Sequence, residues 1–237
     1  MPATALSASD RAPGLLIAAG VELPDDAWIG GGVIVHAGVT LGPGCVVQDH
    51  AVLGMRLGLE QDAERPNLPT RVGAAVTICA SALVHEGATI ADHALIGDQA
   101  RVAERAQIGA HSLVGPRVAV SHDTRIGERV RIQHAVNIAP PGIVEDDVFI
   151  GPSVVTTNDN TADRMDPDDE MVGPVLRRGC RIGAAVVLLP GIEVGEEAFV
   201  AAGSLVTRDV PARTIVMGRP ARHVRAVTGA DLLAARK

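Results

Sequence analysis

Residues 96–137 read IGDQAR VAERAQ IGAHSL VGPRVA VSHDTR IGERVR IQHAVN when broken every six positions. Each group opens on Ile or Val, and its fifth place is Ala, Ser, Val or Thr. Working outward, the same phase runs back to Val72 and on to Ile150. After one slip on each side it continues as Leu23, Ile29, Val35, Leu41, Val47 and Leu53, and as Leu176, Ile182, Leu188, Val194, Val200 and Val206. That makes 26 hexads. A period of six is neither the 3.6 of a helix nor the alternation of an isolated strand. It suits a short strand plus a corner, with three such units closing a triangular coil. Coils then stack as parallel strands about 4.8 Å apart, each resting on its neighbours. The large aliphatic fills the interior of the prism, and the small residue fits where the walls converge. Glycine recurs in the second place (Gly97, Gly109, Gly115, Gly127), where it is expected to supply the backbone freedom of a tight corner. The 26 hexads imply about nine coils and a prism roughly 40 Å tall.

Composition agrees with this reading. The 237 residues are 47% hydrophobic, yet they include only Trp28, Phe149 and Phe199 as aromatics. A core of small aliphatics repeated regularly explains both values. The charge balance is acidic, with 28 acids against 21 bases, which together with the scarcity of stacking aromatics disfavours a nucleic-acid partner. No segment approaches the roughly 20 apolar residues of a membrane span, and no secretory leader is visible, so the expected location is cytoplasmic with no membrane partner. Three widely spaced cysteines do not make a disulfide framework. Cys45 and Cys180 fall on inward small positions and are expected in the core.

Three stretches stand outside the phase. Residues 1–22 form a lead-in to a repeat spanning 23–210, and 211–237 form a C-terminal cap. Within the repeat, a polar segment at about 58–71 (Glu60, Asp62, Glu64, Pro66, Pro69) and another at 156–175 (TTNDNTADRMDPDDEMVGPV) break the pattern. Both are expected to leave from corners as protruding loops, where function concentrates. Thr228 and Asp231 are placed to start a short terminal helix over ADLLAAR.

With these motifs in view, the stretch from about Leu23 to Val210 resembles the hexapeptide-repeat acyltransferases. The resemblance implies an all-β fold, a left-handed parallel β-helix. It implies transfer of an acyl group from acetyl-CoA, without a metal, by a homotrimer with sites between protomers. Several details resemble the subgroup that N-acetylates nucleotide-linked amino sugars. These are Ile132-Gln133, Val136, the run Glu145-Asp146-Asp147-Val148-Phe149-Ile150-Gly151-Pro152, and the loop edges IGPSVVTTND and GPVL. The closure Asp209-Val210-Pro211 followed by Gly218-Arg219-Pro220-Ala221-Arg222 resembles the family's ending, which lies close to coenzyme A. Two departures stand out. His134-Ala135 replaces an asparagine pair, and the proline–arginine–serine usual in the loop is absent, leaving Arg164 to do a related job. Acylation of a hydroxyl, a γ-type carbonic anhydrase and a non-enzymatic scaffold are the competing readings. The anhydrase needs closely spaced His ligands, and the nearest pair is His85 and His93.

None of the seven histidines within the repeat occupies an inward place of the hexad, so all are expected at corners or facing out. His93 and His111 should stack one coil apart, in a column continued by Arg129 and Asp147. His134 is the candidate catalytic base, since an imidazole near neutrality can take a proton from an attacking amine or hydroxyl; substrate-assisted proton loss is the alternative. His122, beside Asp123, is the second choice, with Glu86 and Glu104 in its column suggesting a salt-linked ladder. Asn137, Asn158, Asp159 and Arg164 are the candidate acceptor-binding residues, with the loop expected to fold back toward His134. Ala184, Ala202 and Gly203 make a small-residue corner against which a long cofactor can lie. Arg219, Pro220 and Arg222 are the candidates for its phosphate end. Outward Val46, Val52, Leu83, Leu95 and Leu113 are expected to serve association between protomers.

Overall fold

The computed structural model describes residues 6–57, 68–166 and 170–233. Two-residue and slightly longer strands alternate with corners, and the chain visits three sheets in turn. Sheet A runs from Leu6–Ala8 to Leu205–Val206 and sheet B from Trp28–Ile29 to Arg222–Ala226, each with 11 strands; sheet C runs from Val39–Leu41 to Glu193–Val194 with eight. Pairing between coils is parallel and in register, for example Arg101 with Ala119 and Val102 with Val120. The result is an all-β solenoid of about ten turns, consistent with a left-handed β-helix. The chain passes from B to A, from A to C and from C to B, so the prism has three edges named by these passages.

The interior follows the hexad. First-place residues such as Ile78, Val84, Ile96 and Ile132 are completely buried, as are fifth-place Ala82, Ala88 and Ala100. Cys45 and Cys180 are buried among them. Each first-place aliphatic contributes about 1.5–3 kcal/mol by leaving water, repeated at every corner-to-corner step.

Glycine's role differs from the expectation. The left-handed backbone position is the fourth place of the hexad, and it is usually not glycine: His93, Gln99, Arg105, His111, Arg117, Asp123 and Arg129 all have φ between 55° and 59°. Their amides reach back to the preceding coil, as His111 N does to Asp92 O at 3.0 Å. The second-place glycines Gly97, Gly109, Gly115, Gly127 and Gly183 have no such torsion. A Cβ on Gly109 would sit 2.3 Å from Gly127 O, and one on Gly183 would sit 2.5 Å from Ala202 N. Glycine is needed there because stacked coils leave no room for a side chain, not because the chain turns sharply.

The ends also differ. Coiling begins before Leu23, because Leu16–Ala18 pairs in parallel with Ile34–Val35, and Leu6–Ala8 covers that strand antiparallel. These strands account for the turn beyond the expected nine. At the other end the strand edge is closed by the antiparallel hairpin Thr214–Met217 and Arg222–Ala226. Instead of a capped α-helix, a 3-10 turn at Gly229–Asp231 follows, and the Thr228 side chain makes no capping bond. Residues 234–236 of the expected helix lie outside the described residues. Among the described residues no helix is long and apolar enough to cross a membrane.

Candidate functional site

Both interruptions leave from the same edge. The second departs after Val155–Thr156 of sheet A and rejoins at Val175–Leu176 of sheet C. The first departs after Val52–Met55 of sheet A and rejoins at Thr70–Val72 of sheet C; its residues 58–67, including Glu60, Asp62, Glu64 and Pro66, lie outside the described residues. The A-to-C edge therefore carries both excursions, several coils apart.

The base of the first excursion rests on a buried polar pair. His85 and Glu86 are each 1% exposed. This corrects the expectation that the repeat histidines stay accessible at corners or facing out: His85 ends a strand whose register shifts against Val52–Met55, and it is buried there. His85 Nδ1 donates to Met55 O at 3.2 Å, and His85 Nε2 accepts from Arg101 Nε at 3.2 Å. Those roles fit a neutral imidazole, and burial lowers its pKa accordingly. Glu86 accepts from Arg56 Nε at 3.3 Å on one side of the excursion and from Leu68 N at 3.1 Å on the other. One buried carboxylate thus ties the two ends of the loop together. Glu104, one coil on, is also buried. Glu86 and Glu104 are buried, and among the described residues neither pairs with His122 as the expected salt-linked ladder would require.

One coil beyond Glu104 the same edge carries His122. Its Nδ1 lies 2.8 Å from Asp123 Oδ2. Asp123 in turn accepts Arg105 Nε and Nη2, both at 2.7 Å, and these bonds draw its pKa down to about 2. An ionised carboxylate only accepts, so Nδ1 carries a proton, which in the neutral ring leaves the lone pair on Nε2. Next along the edge come Pro140 and then Asn158, whose Nδ2 donates to Pro140 O at 2.7 Å. The second loop closes a cavity of about 290 Å³ there, lined by Asn158, Asp159, Asn160, Thr161, Met165, Glu170, Val172, Pro190 and Gly191. Asp159 organises the loop: its Oδ1 accepts Thr161 Oγ1 at 2.6 Å and its Oδ2 accepts Asp163 N at 2.6 Å, which hold its pKa below the usual carboxylate range. Arg164 is exposed and lies outside the residues lining the cavity.

The candidate cofactor residues gather on the other edge of sheet A. On the B-to-A edge, Ser153 N bonds to His134 O, Ala185 N to Pro152 O and Gly203 N to Ala184 O, so His134, Pro152, Ala184 and Ala202 form one column. It is smooth. A Cβ on Gly203 would meet nothing within 4 Å, whereas the coil faces beneath it are packed tight. Arg219 Nε donates to Gly203 O at 2.6 Å, fixing that guanidinium at the column's end, and Arg222 Nη1 bonds only locally, to Ala221 O at 3.0 Å. Small residues along one edge with an anchored guanidinium at its end suit a long, flexible thiol cofactor with a phosphate terminus.

The sequence expectation therefore divides. Asn158, Asp159 and the loop lie on the A-to-C edge, His134 and the small-residue column on the B-to-A edge, and Asn137 between them on sheet A, its Nδ2 bonded to Thr156 O at 3.4 Å. Among the described residues of one chain the loop is not brought to His134. His134 is exposed and has no side-chain hydrogen bond among the described residues. The adjacent pair His122-Asp123 was the signal for the better-held imidazole, but the Arg105 clamp one coil away is visible only once coil spacing is known. The expected stack of His93 on His111 is present, with ring centroids 4.8 Å apart and planes within 6°, and Arg129 Nε meets Asp147 Oδ1 at 2.7 Å in the same column.

Comparison with known proteins agrees with this architecture. Residues 21–48 and 178–208 match the family model described as hexapeptide repeat of succinyl-transferase. A tetrahydropyridine-dicarboxylate N-acetyltransferase of Staphylococcus aureus is 54% identical over 44 residues, which are 19% of this chain and 18% of that protein. A galactoside O-acetyltransferase of Lactococcus lactis is 30% identical over 100 residues, 38% of this chain and 48% of that protein. The chain thus spans less than half the length of these curated relatives. A solved Arabidopsis UDP-N-acetylglucosamine acyltransferase shares the fold with a TM-score of 0.52 at 15% identity, covering 91% of this chain and 73% of that one. The matches support the hexapeptide-repeat acetyltransferase family. They do not single out a subgroup, since one relative acetylates nitrogen and the other oxygen.

Proposed function

We propose that the protein transfers an acetyl group from acetyl-CoA to a small acceptor, with His122 as the base. The observation that carries this reading is the imidazole held by Asp123 on the edge that also carries the second loop and its cavity. An aligned imidazole with one nitrogen fixed by a carboxylate and the other free is the arrangement general-base catalysis requires. His122 Nε2 takes a proton from the acceptor's amine or hydroxyl and later returns it to the departing sulfur. Acetyl-CoA, when bound, supplies a thioester whose carbonyl carbon bonds to the acceptor nitrogen or oxygen as its C–S bond breaks. Asn158 and the loop cavity receive the acceptor; Ala184, Ala202, Gly203, Arg219 and Arg222 receive the cofactor. The acceptor is an amine-bearing sugar, nucleotide-linked in the subgroup the sequence resembles, and a sugar hydroxyl is the second reading, favoured by the O-acetyltransferase relative.

The two sets of residues flank sheet A, and this supports a trimer. Sheet A's outward ladder is apolar over most of its length (Ile34, Val52, Leu83, Ala119, Val155, Val187), and sheet B adds Trp28, Leu95, Leu113 and Phe149. Sheet C instead presents Arg71, Thr89, Gln107, Arg125 and Glu193. In a closed ring of three, apolar surface of each chain meets its neighbour, and edges of two chains complete one crevice. Sedimentation should give three times the 24.4 kDa of the chain; a stable monomer would remove the shared crevice. For the chemistry, thiol release from acetyl-CoA is measured against a panel of amino sugars, free and UDP-linked. His122→Ala should lower turnover at least 100-fold on the scale of general-base catalysis. Unchanged turnover would remove His122 as the base.

A further inference from the structure

We infer that Arg105 is a positioning residue of this reaction, acting on the base through Asp123. The inference rests on the reading of His122 given above and goes beyond it. Asp123 sits at a left-handed corner with φ 55°, and its side chain is half-exposed. A short carboxylate in that setting is free to turn into solvent unless something holds it. Arg105 occupies the equivalent corner one coil earlier, with φ 57°, and the coil stacking puts its planar fork directly against the carboxylate. Nε donates to Oδ1 and Nη2 to Oδ2, both at 2.7 Å, so the fork fixes the plane of the carboxylate and not merely its distance. Oδ2 keeps a second lone pair, which accepts His122 Nδ1 at 2.8 Å. The chain of contacts is therefore sequential. Arg105 touches neither the imidazole nor the cavity; it sets Asp123, and Asp123 sets the ring's orientation and tautomer. A lysine in its place offers a point charge and no fork.

The test is a double-mutant cycle on the full-length protein, using thiol release from acetyl-CoA with the best amino sugar of the panel. Arg105→Ala should lower kcat about 10-fold and leave the KM for acetyl-CoA unchanged. Arg105→Lys should recover only part of the loss, and added guanidinium should restore turnover to Arg105→Ala. In an Asp123→Asn background the Arg105 substitution should cost nothing further, because its action passes through Asp123. A crystal structure of Arg105→Ala, which needs no acceptor, should show the His122–Asp123 bond lost. Full turnover in Arg105→Ala, losses that simply multiply with Asp123→Asn, or a His122–Asp123 pair unmoved in the variant would overturn the inference. Loss in His122→Ala without loss in Arg105→Ala would overturn this inference alone, whereas full activity in His122→Ala would overturn the reading of the base together with it.

Discussion

The two edges of sheet A are made from the same hexad and have opposite character. The A-to-C edge is crowded: two excursions, the buried His85 and Glu86, and the Arg105–Asp123–His122 chain. The B-to-A edge grows bare toward its end, where His134 and Pro152 give way to Ala184-Ala185 and Ala202-Gly203 before Arg219. The difference shows how a rigid repeat divides labour. Inward places are fixed by packing, so variation is left to the outward faces and the corners, and each edge is a separate column of variable places. One column has been given side chains that hold and orient; the other has had side chains removed, which lets an extended ligand approach the backbone.

The largest expected effect separates the edges directly. His122→Ala should abolish most turnover, while His134→Ala on the bare edge should change it less than about threefold, against the 100-fold or more expected of a general base. The reverse result would move the base to the B-to-A edge. Next in size is stability. Glu86→Ala removes the buried carboxylate between the two ends of the first excursion and should cost about 3–5 kcal/mol, read as a fall in thermal midpoint. A loss under about 1 kcal/mol would mean the excursion's base is held by other contacts. A smaller contrast is available within the bare edge. Gly183→Ala pushes a Cβ to 2.5 Å from Ala202 N and should cost about 1–3 kcal/mol, as overpacking does. Gly203→Ala meets open space, so only its φ of 71° opposes it, at about 1 kcal/mol; its main effect should be weaker acetyl-CoA binding, measured by titration calorimetry. Equal affinity for the cofactor in Gly203→Ala would argue against that edge as its path.

The smallest effect is on pH. The Asp123 carboxyl falls from 3.8 to about 2 on folding. Its pairing with Arg105 therefore stabilises the fold above the ordinary carboxylate range, and that contribution disappears as pH falls through about 2. Because the two side chains are 49% and 43% exposed, the contribution should stay below about 1 kcal/mol. The stability gap between the protein and Arg105→Ala should close in strong acid; a gap that widens there would contradict the pairing.

The sequence by itself determined the three-walled coil, though not its hand. A period of six set by Ile and Val in the first place leaves one regular solution, and it made the core, the buried Cys45 and Cys180 and the His93–His111 stack legible in advance. It also marked the second loop and the small-residue column, because each departs from the repeat in composition. What it did not reveal is which departures meet. His134 and Asn158 are close in sequence but lie on opposite edges, since a passage across sheet A separates them. Arg105 and Asp123 are 18 positions apart and touch, since one coil brings equivalent corners together. Second-place glycines such as Gly109 and Gly183 follow the same logic: their need is set by a backbone in the next coil, not by their own torsion. Only the tertiary structure decided these pairings, because in a solenoid proximity is set by the coil and the edge, and small slips at the loops change both.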